Sequence, residues 1–77
     1  MKQKSLRYTT AEAIRELRKK HNLNQSEFWT RLGVTQSGGS RYESGRRVPA
    51  PVLSLLQIAY GTPTESLRVV EALRCPE

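Results

Sequence analysis

The chain has 77 residues, 36% of them hydrophobic and 26% charged, which are the proportions of a globular domain. This length allows one domain with a modest core and excludes a deep catalytic cleft; no apolar run approaches the roughly 18 residues of a membrane helix. The net charge of +6 is unevenly placed: residues 1–47 carry 11 of the 13 Lys and Arg against four Glu, whereas 48–77 carry two Arg against three Glu. One half is therefore expected to face a polyanion while the other folds or pairs.

Anionic membrane is the weaker candidate polyanion, because the basic segments lack the bulky apolar face of interfacial helices. The opening stretch MKQKSLRYTT is basic without the apolar core of a secretory signal, so a cytoplasmic location is expected. Cys75 is the only cysteine and is expected to be a free thiol. His21 is the only histidine and is expected to face water at the end of a helix. Neither belongs to a cluster of metal ligands, and the chain contains no Asp to orient a nucleophile and base, so neither metal, cofactor nor enzymatic activity is expected.

Residues 1–8, with Lys2, Lys4 and Arg7, read as a basic arm preceding a single domain over 9–74. Such an arm either stays solvated or reaches a neighbouring DNA groove. Thr9 followed by Glu12 has capping-box spacing and predicts a helix through about Lys20, with Ala13, Ile14 and Leu17 facing inward. Arg18, Lys19 and Lys20 close it where the helix dipole favours cations. Asn24 and Glu27 repeat the box and predict a second helix over Gln25–Leu32, ended by Gly33. Thr35 then caps a third helix from Gln36 to about Ser44.

After a loop over Gly45–Pro49, Pro51 suits the first turn of a fourth helix that is apolar over most of its surface and ends at Gly61. Thr62, Pro63 and Glu65 form a third capping box, opening a fifth helix to about Leu73. With no β-alternation, the fold class is all-α: a compact bundle of five short helices.

The stretch over 24–44 places two capped helices on either side of a turn containing Gly33 and Val34. That is the spacing of a helix-turn-helix, in which the second helix protrudes and fits the major groove of B-DNA. Arg18, Leu23–Asn24–Gln25, Glu27–Phe28, Gly33, Thr35–Gln36–Ser37, Tyr42–Glu43, Gly45 and Arg46 together resemble the Cro and phage-repressor (XRE) helix-turn-helix family, over about residues 10–60. The resemblance implies a lambda-repressor-like domain in which Gln36, Ser37, Ser40 and Arg41 contact base edges. Asn24, Gln25, Arg46 and, less closely matched, Arg47 would contact phosphates. It also implies a structural ion pair between Arg18 and Glu43. Gln36 has the amide fork that pairs with adenine, and Arg41 has the fork that pairs with guanine or grips a phosphate.

One departure from the family stands out. Trp29 occupies a position that is usually Ala or Gly, and Gly39, beside Gly38, replaces the usual Ile or Val of the third helix. The pattern reads as one volume exchange between helices two and three. It costs helix propensity, about 1 kcal/mol per glycine relative to alanine. Trp29 is then core, or, in a sharper reading, the glycine pair also brings the backbone closer to DNA.

The expected function is a sequence-specific double-stranded DNA-binding transcriptional regulator, most simply a repressor acting as a homodimer. Helices four and five offer apolar surface either for that dimer or for completing the core. With no stretch long enough for a ligand-binding domain after residue 61, control is expected through protein level, proteolysis or a partner. The alternative is a protein-interaction module, an antitoxin paired with a toxin or an antagonist of another regulator, with little DNA selectivity. RNA fits less well, because its deep, narrow major groove excludes a projecting helix.

Overall fold

The computed structural model describes residues 8–75 as five helices: α1 (Ala11–Lys20), α2 (Gln25–Thr30), α3 (Gln36–Glu43), α4 (Ala50–Tyr60) and α5 (Pro63–Arg74). α3 packs against both α1 and α2, and α4 packs along α5. Among the described residues no helix is long and apolar enough to cross a membrane. The basic residues Lys2, Lys4 and Arg7 of the expected arm lie outside the described residues.

Local chemistry explains most boundaries. Thr35 and Thr62 each accept a hydrogen bond from the backbone three residues on, and Asn24 does the same for α2. The boxes at Asn24–Glu27 and Thr62–Glu65 are complete, with each carboxylate accepting from the backbone N–H of its capping residue. The expected box at Thr9 does not form. Thr10 is the cap, its Oγ1 accepting from Ala13 N at 3.0 Å, and its extended backbone starts α1 one residue later than Thr9 would. Glu12 then falls a residue short of the position from which a carboxylate reaches back.

α1 ends where Asn22 takes up a left-handed conformation, φ 55°, which asparagine tolerates better than most residues other than glycine. α2 stops at Thr30 rather than Leu32: residues 31–33 form a separate turn ending in Gly33 at φ 79°. That left-handed glycine sends the chain into the short link before Thr35.

The core joins Ile14 and Leu17 of α1, Phe28 and Trp29 of α2, Val48, and Leu56 and Tyr60 of α4. Its centre is aromatic. Phe28 stacks on Tyr60 with centroids 4.2 Å apart, and Trp29 meets Phe28 edge-on at 5.2 Å. The Tyr60 hydroxyl donates to the Phe28 carbonyl at 2.6 Å, so the buried ring carries no unsatisfied polar atom. Burial raises the Tyr60 pKa against the lowering charge and hydrogen bond of Arg31.

His21 is exposed at the end of α1, as expected, and also makes two contacts. Its Nε2–H donates to the Tyr60 carbonyl at 3.1 Å, and its ring meets Tyr60 edge-on, so it ties the end of α1 to the end of α4. Tyr8 likewise packs against the core, and its hydroxyl donates to Glu65 Oε1 at 2.8 Å. The Cys75 thiol is free and exposed. Helices four and five serve the core through Leu56, Tyr60 and Val69, yet leave Leu55, Leu67 and Leu73 42%, 55% and 52% exposed.

Candidate nucleic-acid interface

α3 is a helix of eight residues with two glycines and no bulky aliphatic side chain, so neither propensity nor apolar burial accounts for its stability. Its contacts do. Gly39 lies against the Trp29 indole so closely that a Cβ there would sit 2.2 Å from Cδ1 and Cγ. This is the volume exchange expected from the sequence, and it belongs to Gly39 alone. A Cβ at Gly38 would meet only Thr35 Oγ1 at 3.3 Å and Val34 Cγ1 at 3.4 Å.

Glu43 closes α3 and is 3% exposed. Arg18 grips its carboxylate with Nε 3.0 Å from Oε2 and Nη2 3.0 Å from Oε1, the bidentate geometry in which a guanidinium bonds most strongly. Trp29 Nε1 donates to Oε2 at 2.7 Å and Gln25 Nε2 to Oε1 at 3.3 Å. Arg15 donates to the Glu43 backbone carbonyl, placing a cation at the negative end of the helix. Burial pushes the Glu43 carboxyl up, but the hydrogen bonds from Arg18, Trp29 and Gln25 and the charge of Arg18 outweigh it. The net pKa lies below the ordinary carboxylate value.

With its far end held in this way, α3 turns one polar face outward. Gln36, Ser37 and Arg41 are exposed and Ser40 is half-buried. Together with Gln25 these four residues line one shallow hollow. A second hollow, between α3 and the following loop, is lined by Gly38, Arg41, Tyr42, Arg46, Arg47 and Pro49. Arg41 therefore forms the ridge between a polar hollow and one bearing three guanidinium groups. Gly45, at φ 114°, turns the chain at the start of that loop.

Asn24 spends its side-chain oxygen on Glu27 N, 2.8 Å away, which leaves its amide N–H groups as donors at the exposed tip of α2. Gln25 spends one N–H on Glu43 and keeps the other. The residues expected to meet bases and those expected to meet phosphates thus lie on one continuous face made by α2, α3 and the loop after α3. The Arg18–Glu43 pair lies behind that face.

Several contacts have no counterpart in the sequence reading, among them the Trp29 indole on Glu43, Arg15 on the Glu43 carbonyl, and Tyr8 on Glu65. A signal existed for the first. A buried Trp requires an acceptor for its N–H, and Glu43 was already expected to be structural, paired with Arg18.

Comparison with known families gives one match. A family model described as an RsaL-like helix-turn-helix domain covers residues 15–59, from the middle of α1 almost to the end of α4. No curated protein and no solved structure matches the chain.

Proposed function

The chain belongs to the RsaL-like helix-turn-helix family, and from that premise we propose that it is a sequence-specific regulator of transcription, a repressor that reads the major groove with α3. A domain of this kind is a DNA-binding one. The observation that carries the finer reading is the hollow of Gln25, Gln36, Ser37, Ser40 and Arg41, in which three exposed side chains of α3 offer hydrogen bonds at groove-reading positions. Gln36 suits adenine, and Arg41 suits guanine or the adjoining backbone.

Affinity comes from phosphates held by Arg46, Arg47 and the tip of α2 at Asn24 and Gln25, and it falls steeply with salt. The protein acts as a homodimer through the charge-poor carboxyl-terminal half, where Leu55, Leu67 and Leu73 stand exposed. It works in the cytoplasm, carries out no catalysis, and represses by occluding a promoter. The same exposed leucines favour the second reading, a heteromeric partner such as a toxin or another regulator.

Selection of the protein against a random double-stranded DNA pool at about 0.15 M salt tests this reading. Enrichment of an inverted repeat supports it. Absence of any enriched motif overturns it and favours the protein-partner reading.

A further inference from the structure

The volume exchange between Trp29 and Gly39 explains why the indole fits, but not why its N–H points at a carboxylate. That carboxylate sits between the core and the outer face. On its inner side Glu43 Oε2 accepts from Trp29 Nε1 at 2.7 Å, the shortest of the hydrogen bonds to this group, and from Arg18 Nε at 3.0 Å. On its outer side Oε1 accepts from Arg18 Nη2 at 3.0 Å and from Gln25 Nε2 at 3.3 Å. Trp29 is fully buried, whereas Gln25 is half-buried and lines the hollow with Gln36, Ser37, Ser40 and Arg41. An ionised carboxylate only accepts hydrogen bonds, so the amide nitrogen of Gln25 must be the end that faces it. This fixes the polarity of the amide and leaves Gln25 one N–H and its carbonyl oxygen for other partners.

We propose that Trp29 is a positioning residue for DNA binding: its indole N–H holds Glu43 from the core side, and Glu43 in turn sets the Gln25 amide at the mouth of the hollow. The inference rests on the reading of this face as a DNA interface. A Phe at position 29 would fill much of the same space and supply no donor. Glu43 would then be held by Arg18 and Gln25 without the shortest of its hydrogen bonds, and the Gln25 amide would be less firmly set. A preset side chain binds more tightly because less conformational freedom is lost on contact.

The test measures binding to the enriched duplex by the wild type, Trp29→Phe, Gln25→Ala and the double variant, with the fold of each checked by circular dichroism. Each single variant is expected to weaken binding about fivefold to tenfold, the worth of one hydrogen bond, and the double variant no more than the weaker single one. Losses that multiply in the double variant, or a Trp29→Phe protein that binds like the wild type, would overturn the inference and leave the DNA reading standing. Failure of the wild type to select any duplex would overturn the DNA reading itself.

Should Trp29→Phe not fold, the single indole N–H resonance of the protein carries the test. It is expected to move when the wild type binds the duplex and to stay in place when Gln25→Ala binds it. Equal movement in both proteins, or none in either, would overturn the positioning role.

Discussion

The carboxyl end of α3 is held by four side chains from two other helices, Arg15 and Arg18 of α1 and Gln25 and Trp29 of α2. Its amino end is held by one, Thr35, whose hydroxyl accepts from Gly38 N at 3.1 Å. The difference shows how a weak helix can be held in place while presenting a polar face. Order is supplied at the end that faces the core, so the end that faces outward is free to carry Gln36 and Ser37 rather than apolar side chains. The two adjacent glycines differ: a Cβ at Gly39 would overlap Trp29, whereas one at Gly38 would make only a close approach to Thr35 Oγ1 at 3.3 Å.

The sharpest way to break this contrast is to remove the clamp. Glu43→Ala strands the Arg18 guanidinium and the Trp29 N–H inside the protein, and the loss of one partner of a buried pair costs about 3–5 kcal/mol. Thermal unfolding should show a large share of the stability gone, since small domains hold only about 5–15 kcal/mol in total. A loss below about 1 kcal/mol would mean the clamp is ornamental. Gly39→Val comes next. Its side chain overlaps the indole, and overpacking of this kind costs about 1–3 kcal/mol. Pairing it with Trp29→Ala should return part of that loss in the same unfolding measurement.

Acid sharpens the comparison further. Because folded Glu43 binds its proton less tightly than the unfolded chain does, the ionised group stabilises the fold at neutral pH. That contribution is lost as pH falls from the ordinary 4.5 through the lower folded value. Glu43→Gln should therefore lower stability at neutral pH and flatten the acid limb of a stability-against-pH curve. A parallel, merely displaced limb would show that another group titrates there. Gly38→Ala should have the smallest effect. Its gain in helix propensity, about 1 kcal/mol, is offset in part by the 3.3 Å approach to Thr35 Oγ1, so the melting temperature should shift little in either direction.

How far the sequence announced this arrangement depended on how local each interaction is. The caps at Asn24, Thr35 and Thr62 act over three residues and carry their own signature, so helices two, three and five begin where the residue pattern places them. The start of α1 was displaced by one residue because Thr9 and Thr10 offer the same hydroxyl, and only the backbone decides between them. The end of α2 came early because the apolar spacing of Leu32 persists through a turn that is no longer α-helical.

Trp29 and Gly39 were legible as a pair because they depart in opposite directions from the Cro and phage-repressor pattern that the sequence resembles. The direction of the indole N–H was not, since it depends on how α2 lies against α3. Tyr8 on Glu65 and Arg15 on the Glu43 carbonyl join residues 57 and 28 positions apart. No spacing rule reaches that far.

The central proposal is that α3 is anchored through its carboxyl end and reads DNA with its outer face. It is tested most directly by the Gln36→Ala, Arg41→Ala double variant, measured for melting temperature and for affinity to the enriched duplex against a scrambled one, at about 0.15 M salt. Both side chains are exposed and outside the clamp, so the account predicts stability within about 0.5 kcal/mol of the wild type per site and an affinity ratio near one. A double variant that still prefers the enriched duplex as the wild type does would contradict it.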